Sequence, residues 1–129
     1  MRQIVTIIIG AIATSCSAPE SAKVTLDAAA LIGKERSPVD AAMGSNPDCH
    51  EESGGTLCEY GGYNSAFFVN GKAANLTLPR VEDLGAYGLD LGEPATKKEG
   101  WEHWSAEVGG QKAEIDRFPE YVYIMTHNV

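Results

Sequence analysis

Ser65-Ala66-Phe67-Phe68-Val69-Asn70-Gly71-Lys72-Ala73-Ala74-Asn75-Leu76-Thr77-Leu78 is the stretch whose reading decides the fold. Two apolar-rich runs meet at Asn70-Gly71, the dipeptide that most readily supplies the two positive-φ residues of a tight hairpin turn. Upstream, Thr56-Leu57-Cys58-Glu59-Tyr60 has strand character and is broken by Gly61-Gly62; downstream, Pro79 ends the returning strand. Arg80 to Tyr87 reads as a short helix or an irregular crossing, and Gly88 to Thr96 as a loop containing Pro94. Gly100 to Glu107, Gln111 to Phe118 and Glu120 to Thr126 then read as three more strands, with turns at Gly109-Gly110 and Pro119.

Before the first strand the pattern is helical. Thr25 to Ile32 is a short apolar helix that Gly33 ends. Ser37-Pro38-Val39-Asp40 is a helix start, with Ser37 as N-cap, Pro38 in the first position and an acid at the third. This second helix runs to Met43, and Gly44 is expected to close it in the left-handed conformation. Helices this short are unstable alone and must pack on something. The expected architecture is therefore α+β: two short N-terminal helices packed on an antiparallel β-sheet, preceded by a lipoprotein signal peptide.

That signal occupies the first fifteen residues. Met1-Arg2-Gln3 is a cationic start, and Ile4 to Ala13 is an apolar run about half the ~20 residues a helix needs to cross a bilayer. Ala13-Thr14-Ser15-Cys16 resembles the lipobox of bacterial lipoproteins, in which cleavage precedes the cysteine and its thiol carries lipid. The resemblance implies a signal peptide over 1–15, a lipidated tether over 16–24 and a single domain over 25–129. Ser17, rather than an aspartate, implies the periplasmic face of the outer membrane of a Gram-negative cell. An ordinary export signal cleaved after Ala18 is the competing reading.

With Cys16 assigned to lipid, Cys49 and Cys58 remain as a pair in an oxidising compartment. Ser53-Gly54-Gly55 between them lets the chain turn back, so a disulfide is expected. Asp48, Cys49, His50, Glu51 and Cys58 also admit a metal reading, but the two cysteines lack the close spacing of zinc sites. The formal charge of −8 excludes nucleic acid as a natural partner.

Leu31-Ile32-Gly33 followed by Ser37-Pro38-Val39 and closed by Gly44 resembles the helix-turn-helix opening of the outer-membrane assembly lipoproteins called BamE or SmpA. The same opening followed by a cysteine pair is similar to one repeat of the secreted β-lactamase inhibitory protein family, which places its bridge at the positions of Cys49 and Cys58. The resemblance covers Leu26 to Leu78. It implies a scaffold or assembly role more than enzyme inhibition, since the inhibitors carry two tandem copies. The chain after Leu84 departs from BamE, so the fold transfers further than the function.

Motifs for covalent, metallopeptidase, phosphate-cradling and dinucleotide chemistry are missing from the chain. Strand alternation puts Trp101 and His103 on one face and Trp104 on the other. Proton transfer by His103 beside Glu102 or Glu107 is one reading; an ordinary histidine in an aromatic strand is the plainer one. Trp101, Tyr121 and Tyr123 fall on one sheet face, with Phe67, Trp104, Val122 and Ile124 on the other. Tyr60 and Tyr63 flank the Gly61-Gly62 turn. Tyr60, Tyr63, Trp101, His103, Tyr121 and Tyr123 therefore form the candidate contact surface, because Trp and Tyr are enriched where proteins bind one another. The competing reading makes these aromatics core. The expected function is non-enzymatic binding of another envelope protein by a lipid-anchored domain without a cofactor. The alternatives are an inhibitor of an envelope enzyme and a ligand or metal binder using His50, Glu51, Glu52 and His103.

Overall fold

The computed structural model describes residues 24–127. The expected signal peptide, Cys16 and the tether up to residue 23 lie outside the described residues. No helix among the described residues is long and apolar enough to cross a membrane.

The α+β expectation is overturned. The chain is mostly one eight-stranded antiparallel sheet, 48% strand against 15% helix. After α1 (Ala28–Leu31) and α2 (Arg36–Met43) come β1 (Asp48–Glu52), β2 (Gly55–Gly61), β3 (Asn64–Val69) and β4 (Lys72–Pro79). A 3-10 turn at Leu84–Tyr87 leads to β5 (Thr96–Lys98), β6 (Trp101–Val108), β7 (Gln111–Arg117) and β8 (Tyr121–Thr126). The spatial order is β1-β2-β3-β4-β8-β7-β6-β5, two meanders joined along their last strands. Sequence reading missed β1 and β5, the two edges. Asp-Cys-His-Glu-Glu and Thr-Lys-Lys show no apolar alternation, because an edge strand with one neighbour is kept charged against further pairing.

The turns form where the local chemistry places them. Asn70 and Gly71 have φ of 55° and 80°, and Gly109 and Gly110 have φ of 61° and 81°. Both pairs supply the positive φ that matches a tight hairpin to the strand twist.

The helices differ from expectation in detail. Only one turn of the first is helical, capped by Asp27, whose side chain accepts from the Ala30 N–H at 3.2 Å. The second starts at Arg36, so Ser37 and Pro38 lie inside its first turn and Ser37 is not the cap. Arg36 is drawn into the helix by Asp40 one turn on (3.1 Å) and by the Phe68 ring 5.8 Å from its guanidinium. Gly44 ends the helix at φ 140° and ψ 142°, an extended glycine conformation rather than the left-handed one. The connection between the helices is strapped to β4: Gly33 N–H donates to Ala73 and Ala73 N–H to Lys34, both at 2.8 Å.

Both helices pack on one face of the sheet. That core face carries a row in direct register across seven strands: Cys49, Cys58, Ala66, Leu76, Ile124, Ile115 and Trp104. Cys58, Leu76, Ile115 and Ile124 are fully buried, and Ala28, Leu31, Ile32 and Val39 close over the same cluster. Below the row, Arg117 pairs with Glu102 (2.5 Å), donates to the carbonyls of Val81 and Glu82, and lies over the Trp104 ring. Trp104 Nε1 donates to Gly92 at 3.0 Å. These bonds hold the crossing between the two meanders against the second of them.

Cys49 and Cys58 are disulfide-bonded and directly opposite one another. The bridge attaches β1, whose other four residues are exposed, to the core through its one partly buried side chain. Closing so short a loop contributes roughly 2–3 kcal/mol. Replacing both cysteines by alanine should lower unfolding free energy by at least about that amount in urea titrations. The β1–β2 amides should then exchange hydrogen faster than those of β4 and β8.

Candidate functional site

Residues alternating with the core row point to the face that no described helix covers. A second row runs there across all eight strands: Asp48, Glu59, Ser65, Thr77, Tyr123, Asp116, His103 and Thr96. The row is polar apart from Tyr123 at its middle, and further aromatic rings gather beside Tyr123 on the same face.

In the middle, Tyr63 stacks on Tyr121 with centroids 5.5 Å apart and planes 15° apart. Phe118 packs against the same Tyr121 ring at 4.9 Å. The Tyr63 hydroxyl donates to Glu120, which holds the ring over the sheet. With Thr77 and Tyr123 these rings line a shallow, mostly apolar groove of about 360 Å³. Phe67, Leu57 and Met125 continue the apolar band on the same face, half-buried or exposed.

Two expected placements are corrected. Phe67 lies on this uncovered face and Phe68 in the core, because Cys58 and Ala66 pair inward and fix the parity of β3. The Phe-Phe doublet by itself is ambiguous between faces. Tyr60 is on the helix side, where its hydroxyl donates to Asp40 at 2.6 Å, and so leaves the contact surface. Burial, and then that bond, push its hydroxyl above the ordinary tyrosine pKa. Burial opposes ionisation of Asp40 too, but bonds from Arg36 and Tyr60 hold it below the usual carboxylate range.

At the second-meander end, His103 sits between two carboxylates that sequence reading did not identify. Nδ1 lies 2.7 Å from Asp116 and Nε2 lies 2.7 Å from Glu114, both on β7. Trp101 Nε1 donates to the same Asp116 oxygen at 2.7 Å. Glu114 also accepts from Ser105 at 2.7 Å and contacts His127 at 2.7 Å. The only sequence signal was Glu114 and Asp116 alternating with the apolar Ala113 and Ile115, which becomes informative once the β6–β7 register is known.

This arrangement favours charge over catalysis. Carboxylates facing both nitrogens favour the protonated, doubly donating form of His103 over the neutral form that a proton acceptor needs. The bond to Asp116 raises its pKa first; partial burial opposes this and Glu114 adds to it. Ser105 donates to Glu114 rather than to His103, so the cluster contains no activated hydroxyl. Glu114 is lowered by its bonds from Ser105 and His127, against partial burial, with His103 contributing further.

The metal set expected from sequence is not brought together. Glu51 points to the core face and accepts from Thr56 at 3.0 Å, and His103 is on β6, far across the sheet from His50 on β1. Asp48, His50 and Glu59 gather instead, with ligand atoms within 4.8 Å of one another.

The chain matches no protein-family model, and no curated protein and no solved structure is significantly similar to it.

A histidine whose pKa is raised on folding stabilises the fold fully below its unfolded value of 6.5 and loses that contribution as pH rises through the folded value. Wild type should therefore lose more stability than His103→Gln as pH rises across the alkaline side of that range. The lowered Glu114 acts in the opposite direction. Its contribution is present above the ordinary glutamate range and is lost as pH falls through the folded value. Urea titrations of wild type, His103→Gln and Glu114→Gln from acid to alkaline pH check both signs.

Proposed function

We propose that this chain is a lipid-anchored envelope protein that binds another protein through the uncovered face of its sheet, in a scaffold or assembly role. One observation carries the reading: Tyr63, Tyr121 and Tyr123 line one groove outside the core, with Phe67, Leu57 and Met125 on the same uncovered face, and Tyr63 is 43% and Met125 38% exposed. Contiguous exposed apolar surface of this kind marks a contact site, and stacked tyrosines supply contact area with little side-chain entropy to lose.

Charge defines the partner further. The band is bordered by Asp48, Glu59 and Glu120, within a chain of net charge −8. At the other end Asp116 and Glu114 already share the His103 charge. The complementary partner is a protein surface that is apolar at its centre and basic at its rim. A disulfide on the core face suits an oxidising compartment and so supports export, while anchoring at Cys16 on the periplasmic side of the outer membrane rests on the lipobox resemblance of Ala13-Thr14-Ser15-Cys16.

Two measurements test the reading. The intact mass of the membrane-bound protein should correspond to Cys16 through Val129 plus acyl chains, and an unacylated soluble product would end the anchoring proposal. A photoreactive side chain at position 63 or 121 should cross-link one discrete partner in native membranes, whereas the same probe at exposed position 35 on the helix side should not. Tyr63→Ala and Tyr121→Ala should each change stability by less than about 1 kcal/mol while sharply reducing capture of that partner. Equal cross-linking from both sides of the sheet would remove the binding face.

A further inference from the structure

We propose that Asp48, His50 and Glu59 form a surface site for one first-row divalent transition-metal ion of the zinc, cobalt or nickel kind. Asp48 and His50 are two residues apart on β1 and so share the uncovered face. Glu59 on β2 is directly opposite Asp48. Their donor atoms all lie within 4.8 Å of one another, close enough for one ion to take all three after small side-chain rotations. An imidazole with two carboxylates is a donor set for borderline metals, whereas calcium and magnesium take oxygen ligands.

Two features of the surroundings set this cluster apart from a chance group of surface acids. Asp48 and Glu59 are like charges in direct cross-strand register, an arrangement that destabilises an antiparallel pair. Among the described residues neither has a lysine or arginine within salt-bridge distance, while Arg36, Arg80 and Arg117 all pair with acids elsewhere. A dication between them removes the repulsion. The Cys49–Cys58 bridge, on the opposite face, also joins the two positions that lie beside the donors: Cys49 between Asp48 and His50, and Cys58 next to Glu59. Because a one-residue slip would move the donors to the other face, the covalent lock on register keeps all three together.

Glu52 is the neighbouring competitor, with its carboxylate 3.1 Å from His50 Nε2. Metal binding exchanges that contact for the ion. Three protein donors leave the remaining coordination positions to water, so the ion is held at the surface with exchangeable ligands.

Isothermal titration of zinc chloride into the metal-stripped full chain tests the site. One ion per chain should bind saturably. His50→Ala and Glu59→Gln should each weaken binding by at least about tenfold, comparable to losing a metal-supporting contact. Glu51→Gln, on the core face of the same strand, should leave binding unchanged. Cobalt titration followed by nuclear magnetic resonance should broaden the β1–β2 hairpin first. Circular dichroism of each variant keeps loss of binding separate from loss of fold. The proposal is overturned by absence of saturable binding, by binding that survives His50→Ala, or by binding that is lost with His127→Ala instead. Each result is independent of whether the tyrosine band captures a protein partner.

Discussion

The inward row from Cys49 to Trp104 is the constraint on which the rest of the structure depends. It runs across seven strands in direct register and joins the two meanders at Leu76 and Ile124. Because side chains alternate faces along a strand, committing this row to the core also commits every neighbouring residue to the opposite face. The aromatic band, the His103 cluster and the Asp48–His50–Glu59 group are thus consequences of one register. A slip anywhere in the row would bury carboxylates and expose Leu76 or Ile115, at a cost of several kcal/mol per residue pair.

The domain meets the problem of an open sheet unequally on its two sides. On the helix side, two turns of α2, one turn of α1 and a 3-10 turn suffice, because the strapped Gly33–Ala73 connection and the Arg117–Glu102 pair hold the irregular chain close to the sheet. On the other side nothing among the described residues covers the tyrosines. Leaving Tyr63, Tyr121 and Tyr123 half-wet gives up burial that a small domain would otherwise use for stability. That unspent apolar surface links the fold to the binding role proposed for it.

The polar groups on the uncovered face divide into satisfied and unsatisfied ends. Around His103 every carboxylate has a donor, so the cluster rigidifies β6 and β7. Around Asp48 and Glu59 the negative charge is not balanced by a lysine or arginine among the described residues. The two ends therefore have different roles open to them, the first in positioning the aromatic strand and the second in meeting a cation, whether an ion or a basic side chain.

The local features of this protein were legible in its residues. Asn70-Gly71 and Gly109-Gly110 mark hairpins because positive φ is a property of the dipeptide itself, and Trp101 and His103 share a face because alternation is a property of a single strand. The cysteine pairing was readable for the same reason, since Ser53-Gly54-Gly55 lies between them. The charged edges β1 and β5 were not legible, because an edge strand is defined by a neighbour and carries no apolar period. Nor was the choice between Phe67 and Phe68, which depends on Cys58 packing inward, or the move of Tyr60 to the helix side, which depends on Asp40 twenty residues away. His103 has Asp116 and Glu114 as partners only because β6 pairs with β7, and β4 pairs with β8 across the whole chain that lies between them. Turn chemistry and alternation act over a few residues and are written in the sequence. Register between distant strands is decided by which side chains can be buried together, and only the folded chain decides that.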